Sequence, residues 1–519
     1  MAHRSKYSEH AGAQGPAGEA TWTAHLHGNA AVVLAILTIF GFYSATETNS
    51  YPMWSGGDGA MYIAHARNLA TGRPYRDTGY IFRIENYLEG GATYPSGYSL
   101  LLAPAYRLFG LNYRALKIYT DGILALSLAA IYLFARRFIS GLESLLLVVF
   151  LGLGWFYLSE KGALDAEGAY QASSYIALWA IYRIYDRRWN SERPFATGLP
   201  LGVLLCFVYL TRSIGVAMIL AVLAYDLARN RRLTRFAAST IASFAPLAIL
   251  ANLYWHHDTS YGPQLSWRIS TWIGNILSYP SDSTYIWING LGGDPGKATR
   301  LAASGITSLL AALGFARTLK RGAGPAEWYL LFYAGVLMVY HTSTQRYLLP
   351  VMPIYLVYAV EGLRIVAGFA SARMMRRLRY LAAAAMLLTM AGESTAAVRA
   401  VPWDNGATMP TFVDACRYAR TKTAPNSVFI FWHPRLFALL AERKCARYVD
   451  GTPAEAVAFL DSVSPDYVVF QKENELDLVW LRPVMERYPD RFQAVYANAD
   501  FEVDRFVSSD VMHRGRGGP

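Results

Sequence analysis

Apolar stretches near the length needed to span a bilayer recur through the first 400 residues of this 519-residue chain. A helix needs about 20 mostly apolar residues to cross the hydrocarbon core, because each residue advances it by only about 1.5 Å. Eleven stretches approach this length, at about 29–46, 115–135, 143–158, 170–185, 195–211, 213–228, 236–255, 298–316, 326–341, 347–368 and 380–398. Charged residues make up only 16% of the chain, against about a quarter of an average soluble protein. The sequence therefore predicts a mainly α-helical, polytopic membrane protein of about eleven spans.

Short runs of Lys and Arg fall on every second loop between these stretches. They lie at 136–137, 183–188, 229–232, 320–321 and 376–379. Because Lys and Arg are enriched on the cytoplasmic side of membrane proteins, the alternation places the N-terminus inside and the region after residue 399 outside. The net charge of +11 fits this topology better than a nucleic-acid surface, so no nucleic-acid partner is expected. We expect a multi-pass protein of the cytoplasmic (inner) membrane.

The two ends of the chain differ in composition from the membrane part at 29–400, whose first outer loop covers 47–114. Residues 1–28 are polar and rich in Gly and Ala, which predicts a disordered cytoplasmic tail. Residues 401–508 combine segments rich in β-branched and aromatic residues with segments of helical spacing, which predicts a small extracytoplasmic α/β domain. Residues 509–519 are predicted to form a second disordered tail.

Three cysteines are too few for a disulfide framework or a cysteine-based metal site. Cys206 lies in an apolar stretch. Cys416 and Cys445 both lie in the predicted outer domain, where a disulfide is chemically permitted. The sequence leaves open whether they pair.

The stretch GGDGAMYIAHARNLATG at 56–72 places an acidic residue just outside the first span. Apolar residues at helical spacing follow Asp58, and Gly72 is suited to end the helix. Asp58 is then a helix cap or a catalytic carboxylate, and the two roles are compatible because a capping carboxylate keeps one oxygen free. The loop continues into the apolar segment 92–110, which prolines and a glycine interrupt. Such a segment would wall a cleft at the membrane surface beside Asp58.

These features, in this order, resemble the GT-C integral-membrane glycosyltransferases. The resemblance rests on the Asp before MYIAHARNLATG, on TYPSGYSLLLAPAYRLFG, on YLTRSIG at 209–215 and on STQRYLLPVMPIYLVYAVEGL at 343–363. The resemblance covers nearly the whole chain. Within the GT-C enzymes, the chain is similar to family 39, which includes protein O-mannosyltransferases and aminoarabinose–lipid A transferases. The chain has Asp58-Gly59 where many members have Asp-Glu. It has Thr93–Gly97 where the aminoarabinose transferases have Glu-Lys-Pro-Pro-Leu.

The resemblance implies an inverting transferase that moves a sugar from a polyprenyl-phosphate donor to a hydroxyl of a lipid, glycan or protein acceptor. Asp58 matches the family's first-loop Asp and would take the acceptor proton. Arg346 matches the Arg before Tyr-Leu-Leu-Pro and would bind the donor phosphate. Its alternative role is an interfacial anchor that reaches the lipid headgroups. Arg212 and Lys161 are further candidates for the donor phosphate.

The second outer loop, SEKGALDAEGAY, concentrates acidic residues in a dozen positions. Glu160, Asp165 and Glu167, together with Glu85 of the first outer loop, are candidates for an acidic site. GT-C enzymes often place acidic residues in this loop, and their oxygens would suit Mg²⁺ or Mn²⁺. The alternative is a solvated loop whose charges only mark the water boundary.

Two other classes of protein remain as alternatives to a transferase. One is a transporter or flippase of a lipid-linked sugar, which would tend to place ionisable residues near the middle of its spans and to show paired halves. The other is a non-catalytic GT-C-like scaffold. Membrane lipids are expected partners in every case.

Overall fold

The computed structural model describes residues 18–52, 56–89, 91–255, 264–287, 296–341, 343–369, 371–399 and 406–508. Residues 1–17 and 509–519, on which most of the two predicted tails fall, lie outside these ranges. The first helix begins at Gly18, within the range predicted as the N-terminal tail.

The described part of the chain is mainly helical, and its strands all fall after residue 427. The helices of the membrane part are α1 Gly18–Thr46, α2 Gly56–Thr71, α3 Ser96–Phe109, α4 Tyr113–Ala135, α5 Gly141–Gly152, α6 Trp155–Glu160, α7 Glu167–Asp186, α8 Trp189–Glu192, α9 Pro194–Thr211, α10 Val216–Asn230, α11 Arg235–Trp255, α12 Ile269–Asp282, α13 Lys297–Arg321, α14 Pro325–Val339, α15 Met352–Phe369 and α16 Ala372–Arg399. The C-terminal region adds α17 Pro410–Lys422, α18 Pro434–Ala441, α19 Pro453–Val463 and α20 Arg482–Arg487, with strands β1 Val428–Ile430, β2 Lys444–Ala446, β3 Tyr467–Gln471, β4 Phe492–Ala497 and β5 Phe501–Phe506.

Eight helices of the described residues are long and apolar enough to cross a membrane, so the chain is a multi-pass membrane protein. They are Asn29–Thr46, Tyr113–Ala135, Pro194–Thr211, Ser213–Asn230, Arg235–Trp255, Ala298–Arg321, Met352–Phe369 and Tyr380–Arg399.

The other three of the eleven predicted spans are also helical, but they are not among the eight helices that are long and apolar enough to cross a membrane. The stretch 143–158 breaks between α5 and α6, where Gly152 and Gly154 flank Leu153. The stretch 170–185 lies in α7, and 326–341 overlaps α14, which has only 15 residues and ends at Val339.

Residues 47–114, the predicted first outer loop, pack against helices of the membrane part. The two helices of this loop, α2 and α3, pack against each other, and α3 also contacts α4 and α9. The Pro- and Gly-containing segment 92–110 thus forms a helix, with Pro104 inside it. Leu108 and Phe109 remain exposed at its end, directly before α4.

The C-terminal domain is a five-stranded sheet of order β2-β1-β3-β5-β4, as expected for the predicted α/β domain. Strands β2, β1 and β3 are parallel, and β5 and β4 add to them in antiparallel fashion. Alternating side chains of β1 point to opposite faces: Phe429 packs with the first outer loop, and Ile430 packs with α19. The sequence predicts strands at SVFIFW, DYVVFQ, QAVYAN and FEVDRF, and the short strand β2 is an addition to these four. Cys416 and Cys445 are both buried free thiols, so the disulfide that the sequence left open is not present.

Candidate active site

Asp58 lies in the first turn of α2, and three side chains from distant parts of the chain contact its carboxylate. The Tyr94 hydroxyl donates to Oδ1 over 2.5 Å, and Nη1 of Arg435 donates to the same oxygen over 3.3 Å. Nη1 of Arg346 donates to Oδ2 over 2.9 Å. Within the described residues these hydrogen bonds come from side chains, whereas a helix cap would accept a backbone N–H of its own helix. The contacts therefore favour a functional or positioning role for Asp58 over capping.

Arg435 brings a charge from the C-terminal domain to this carboxylate. Its side chain, at the start of α18, is only 4% exposed. Nη1 also donates to the Tyr94 hydroxyl over 2.6 Å, and the guanidinium lies 4.9 Å and 5.1 Å from the ring centroids of Tyr80 and Tyr94. A planar cation against two rings is held in a defined orientation. The domain thus supplies a fixed positive charge beside Asp58.

Two opposing effects set the pKa of Asp58. Burial raises it, because the ionised carboxylate loses hydration. The charges of Arg346 and Arg435, with the hydrogen bond from Tyr94, outweigh burial and lower the pKa to about 2. Asp58 is therefore ionised at neutral pH. It is a weak base while both arginines face it.

Arg346 links Asp58 to a second acidic residue. Its Nε lies 3.7 Å from Oε1 of Glu167, and the same oxygen accepts a hydrogen bond from Nη1 of Arg212. Both guanidinium groups lie over the ring of Tyr347, at 5.1 Å for Arg212 and 5.5 Å for Arg346. The structure thus places the two arginines side by side, with Glu167 holding their charges together.

Three carboxylates of the predicted second outer loop lie close together. One oxygen from each of Glu160, Asp165 and Glu167 falls within 4.8 Å of the others. Burial, followed by the charge of Glu167, raises the pKa of Glu160 to about 7 and also raises the pKa of Asp165. Burial and mutual repulsion therefore disfavour full ionisation of the cluster. A retained proton or a bound cation would stabilise it.

A cavity of about 480 Å³ opens onto these groups. Asp58, Arg346, Glu160 and Asp165 are among the residues that line it. The cavity is large enough for a small ligand. Its wall carries both signs of charge: the carboxylates of Glu47, Asp58, Glu160 and Asp165, and the cationic groups of Lys117, Lys161 and Arg346. Such a wall suits a polar ligand whose anionic part lies against the cationic groups.

Lys161 lines the same cavity beside a buried ion pair. Its Nζ donates to Oε1 of Glu47, and Nζ of Lys117 lies 3.2 Å from Oε2 of that carboxylate. Both lysines line the cavity and are therefore placed to contact a ligand there. Glu167 contacts Arg346, and Arg212 contacts Glu167, but neither Arg212 nor Glu167 lines the cavity.

Glu85 does not belong to the acidic cluster. It lies in the helical turn Ile84–Glu89 and lines a separate cavity with Arg447 and Asp450. The side chain of Asn86 donates to the backbone oxygen of Arg447 over 3.1 Å, which holds this turn against the C-terminal domain. The expectation that Glu85 joins the other three carboxylates is corrected for that reason.

Gly59 has a steric reason to lack a side chain. A Cβ at this position would lie 1.7 Å from the hydroxyl of Tyr51 and 3.1 Å from the backbone oxygen of Leu164. Tyr51 stacks on Tyr113 with ring centroids 5.0 Å apart and lines the cavity. The tyrosine hydroxyl therefore occupies the space that a larger residue after Asp58 would need.

Comparison with solved structures places this site in a known fold. The chain matches the oligosaccharyltransferase of Archaeoglobus fulgidus tethered with an acceptor peptide at TM-score 0.60 and 13% identity, over 95% of this chain and 75% of that one. It matches ArnT from Cupriavidus metallidurans bound to undecaprenyl phosphate at TM-score 0.54 and 13% identity, over 92% of this chain and 98% of that one. The chain has the GT-C fold.

The GT-C fold confirms the fold class that the sequence resemblance implied. A further match is the oligosaccharyltransferase AglB from Archaeoglobus fulgidus in complex with an inhibitory peptide and a dolichol-phosphate, at TM-score 0.58 and 14% identity over 91% of this chain and 73% of that one. By sequence, the chain matches no protein-family profile and no curated protein. At these identities the likeness to the GT-C structures concerns the fold.

Two residues of the site were missed by the sequence reasoning. Tyr94 lies in a motif that contributed to the resemblance, but nothing in its spacing marks its hydroxyl as a partner of Asp58. Arg435 follows His433-Pro434, a start typical of a helix, and is otherwise an ordinary arginine of the C-terminal domain. Only the contact between α18 and α2 reveals its role.

Proposed function

We propose that this chain transfers a sugar from a polyprenyl-phosphate-linked donor to a hydroxyl group of a lipid, glycan or protein acceptor. The observation that carries the proposal is the pairing of Asp58 and Arg346 on one cavity wall, 2.9 Å apart, in a chain of the GT-C fold. A carboxylate to accept a proton and a guanidinium to bind phosphate are the two groups that such a transfer requires.

In the proposed step, the acceptor oxygen attacks C1 of the sugar from the side opposite the phosphate. A bond forms between that oxygen and C1 while the bond from C1 to the phosphate oxygen breaks, and the bonding electrons leave with the phosphate. Asp58 takes the proton of the acceptor hydroxyl. The configuration at C1 is inverted.

The positive groups of the site would act on the departing phosphate. Arg346 lines the cavity and presents N–H groups that match phosphate oxygens. Arg212 contacts Glu167, so its role would be to offset that carboxylate and free Arg346 for the donor. Lys161 and Lys117 would hold polar or anionic parts of a substrate at another part of the wall.

Departure of Arg346 from Asp58 would also strengthen the base. The charge of Arg346 is the largest of the effects that lower the pKa of Asp58. When Arg346 turns to the donor phosphate, the carboxylate loses that stabilisation and its pKa rises. Donor binding would thus prepare Asp58 to accept the proton.

Glu160, Asp165 and Glu167 fit a divalent cation such as Mg²⁺ or Mn²⁺. Their three oxygens lie within 4.8 Å of one another, and carboxylate oxygen is the ligand that these cations prefer. When bound, the cation would neutralise the cluster and attract the donor phosphate. Of the three, Glu160 and Asp165 line the cavity and would hold it there.

We further propose that the site and the C-terminal domain face the outside of the cytoplasmic membrane. The alternation of basic loops supports this orientation. A polyprenyl carrier would then present its sugar at the outer surface of the bilayer.

The test is mass spectrometry of glycolipids and surface glycans in cells that express the wild-type chain, Asp58→Asn or no chain. We expect a sugar-bearing product in the wild type alone, with transfer by Asp58→Asn reduced by at least about a hundredfold because the base is lost. Asp77→Asn is the matched control, since Asp77 is an exposed carboxylate of the same outer loop. Full transfer by a normally expressed Asp58→Asn chain would remove Asp58 from the chemistry.

A further inference from the structure

A further charged cavity lies away from both Asp58 and Glu85, where the C-terminal domain meets the first outer loop. Its volume is about 280 Å³. Its lining includes Arg67, Arg417, Arg420 and Glu442, with Tyr106 and Leu111. None of its lining residues lines the cavity at Asp58. This cavity is therefore a separate feature that the proposed transfer does not use.

The lining of this cavity carries a net positive charge. Three arginines face a single carboxylate, Glu442, which lies 3.6 Å from Nη1 of Arg420. Arg417 pairs with Asp414 on the surface, where both side chains are about half exposed and such a pair contributes little. Arg67 forms no ion pair with a described residue and donates only to the backbone oxygen of Leu439, over 3.4 Å. The cavity thus offers guanidinium groups to an anion.

Its position is at the boundary of the membrane. Tyr106 and Leu111 come from the segment that ends α3 and leads into α4, a membrane-spanning helix that begins at Tyr113. Between them, Leu108 is 77% exposed and Phe109 is 52% exposed. Large apolar side chains that are exposed next to the end of a span are suited to contact lipid. In a membrane that α4 spans, the cavity would therefore lie at the level of the lipid headgroups.

We propose that this cavity binds the phosphate of an anionic lipid headgroup from the surrounding bilayer. Guanidinium groups bind phosphate through paired hydrogen bonds, and the apolar residues beside them would contact the acyl chains. The walls come from the first outer loop on one side and from α17 and α18 on the other. A bound headgroup therefore joins the C-terminal domain to the membrane part.

The test uses the full chain in nanodiscs of phosphatidylcholine that contain a minor fraction of phosphatidylglycerol, with retained lipid counted by native mass spectrometry. We expect the wild type to retain phosphatidylglycerol selectively. Arg417→Gln/Arg420→Gln should weaken its retention by about 25-fold, since one surface arginine contributes about fivefold to anionic lipid binding. The matched control is Arg482→Gln/Arg487→Gln, which removes two exposed arginines of α20 from the same domain.

A substitution with the opposite expected effect on lipid retention distinguishes lost lipid binding from lost folding. Glu442→Gln removes the one carboxylate of the lining and should strengthen phosphatidylglycerol retention. Equal retention by the wild type and both double variants would overturn the proposal, as would an equal loss of phosphatidylcholine. Binding of inorganic phosphate without selective retention of phosphatidylglycerol would replace the lipid by a free anion and overturn it too.

Discussion

Asp58 is held by three donors that differ in what they can do next. Tyr94 and Arg435 are buried against each other, so their contacts with the carboxylate are fixed by packing. Arg346 is about one-third exposed, lines the cavity and divides its guanidinium between Asp58 and Glu167. Only Arg346 can therefore move to a ligand without disturbing the core. The site combines a rigid half, which orients the carboxylate, with an adjustable half, which responds to the donor.

The different roles of the three donors predict how the pH dependence of sugar transfer changes in Arg346→Gln. The charge of Arg346 helps to lower the pKa of Asp58 to about 2, so the wild-type base stays ionised down to about pH 3. Without that charge the pKa of Asp58 rises, and protonation at moderately acidic pH disables the base. The acid limb of the pH profile of kcat/KM for sugar transfer should therefore move to higher pH in Arg346→Gln.

Arg212→Gln separates this effect from a general loss of phosphate binding. Arg212 contacts Glu167 but not Asp58, so its removal should weaken donor use and leave the acid limb near its wild-type position. Equal shifts of the limb in the two variants would contradict the division of roles.

Gly59→Ala tests the close approach of α2 to Tyr51. The new methyl group would lie 1.7 Å from the tyrosine hydroxyl and must displace the ring from the cavity wall. We expect the free energy of unfolding to fall by about 1–3 kcal/mol, as for other overpacked sites, with loss of transfer activity. Thermal unfolding in detergent and a transfer assay measure the two effects.

Gly57→Ala is the matched control for this substitution. It lies in the same turn of α2, and the nearest atoms to its added Cβ are 3.8 Å away. Tyr51→Ala combined with Gly59→Ala should recover much of the lost stability, because the obstructing ring is gone. If Gly59→Ala and Gly57→Ala behave alike, Tyr51 does not fill that space.

At the scale of elements, the packing of α9 on α11 positions Arg212, which directly follows α9. Gly198 and Gly202, four residues apart, let the two helices approach closely. A Cβ on Gly202 would lie 2.0 Å from Oγ of Ser243 and 2.3 Å from the backbone oxygen of Thr240. The backbone contact cannot be relieved by a rotamer change, so the helices would have to separate.

Gly202→Ala should therefore lower the midpoint of thermal unfolding and weaken donor use together, because Arg212 moves with the end of α9. Gly305→Ala is the comparison, since Gly305 is also in a spanning helix but has no atom within 4 Å of the added Cβ. It should be neutral or slightly stabilising, as the helix gains a residue of higher propensity. A similar loss in both variants would mean that any alanine at a spanning-helix glycine is harmful.

Elements were predictable where one physical signal dominates. Long apolar runs and helical periodicity are local properties, so each of the eleven predicted spans coincides with helix. The strand β2 has only three residues, Lys444–Ala446. It pairs with β1 through a crossover, and no local sequence pattern predicts this pairing. The break at Leu153 depends on two glycines that a window of hydropathy averages away.

The candidate site was likewise predictable only where its residues lie in sequence motifs. Asp58, Arg346 and the loop from Glu160 to Glu167 come from motifs whose order the sequence displays. The separation of Glu85 from that loop depends on the docking of Ile84–Glu89 on the C-terminal domain, which is a tertiary contact. Arg435 depends on such a contact as well. Neither position carries a local signal.

At the scale of the whole molecule, the site exists only because three distant parts of the chain converge. Arg346 is 288 positions from Asp58, and Arg435 is 377 positions from it. Arg346 comes from the helical turn Gln345–Leu348 before α15, and Arg435 comes from the C-terminal domain. The C-terminal domain is therefore part of the site, because one of its buried side chains orients the candidate base.

This arrangement predicts that Arg435→Lys will not replace the arginine. One guanidinium nitrogen contacts both Asp58 and Tyr94, and the plane of the group lies against two tyrosine rings. A lysine ammonium keeps the charge but cannot reproduce this planar contact. We expect a loss of about 1–3 kcal/mol in the free energy of unfolding, below the usual cost of breaking a buried pair because Asp58 is 30% exposed.

Arg435→Gln should transfer sugar more slowly than Arg435→Lys, and the difference in rate measures the contribution of the positive charge. Loss of the charge raises the pKa of Asp58, so the acid limb of kcat/KM should move to higher pH in Arg435→Gln and much less in Arg435→Lys. Arg482→Gln, an exposed position of α20, serves as the control. If Arg435→Gln lowers stability but leaves the pH profile in place, Arg435 only anchors the domain. A shift of the profile instead means that the domain tunes the base, and that α18 cannot be separated from the chemistry.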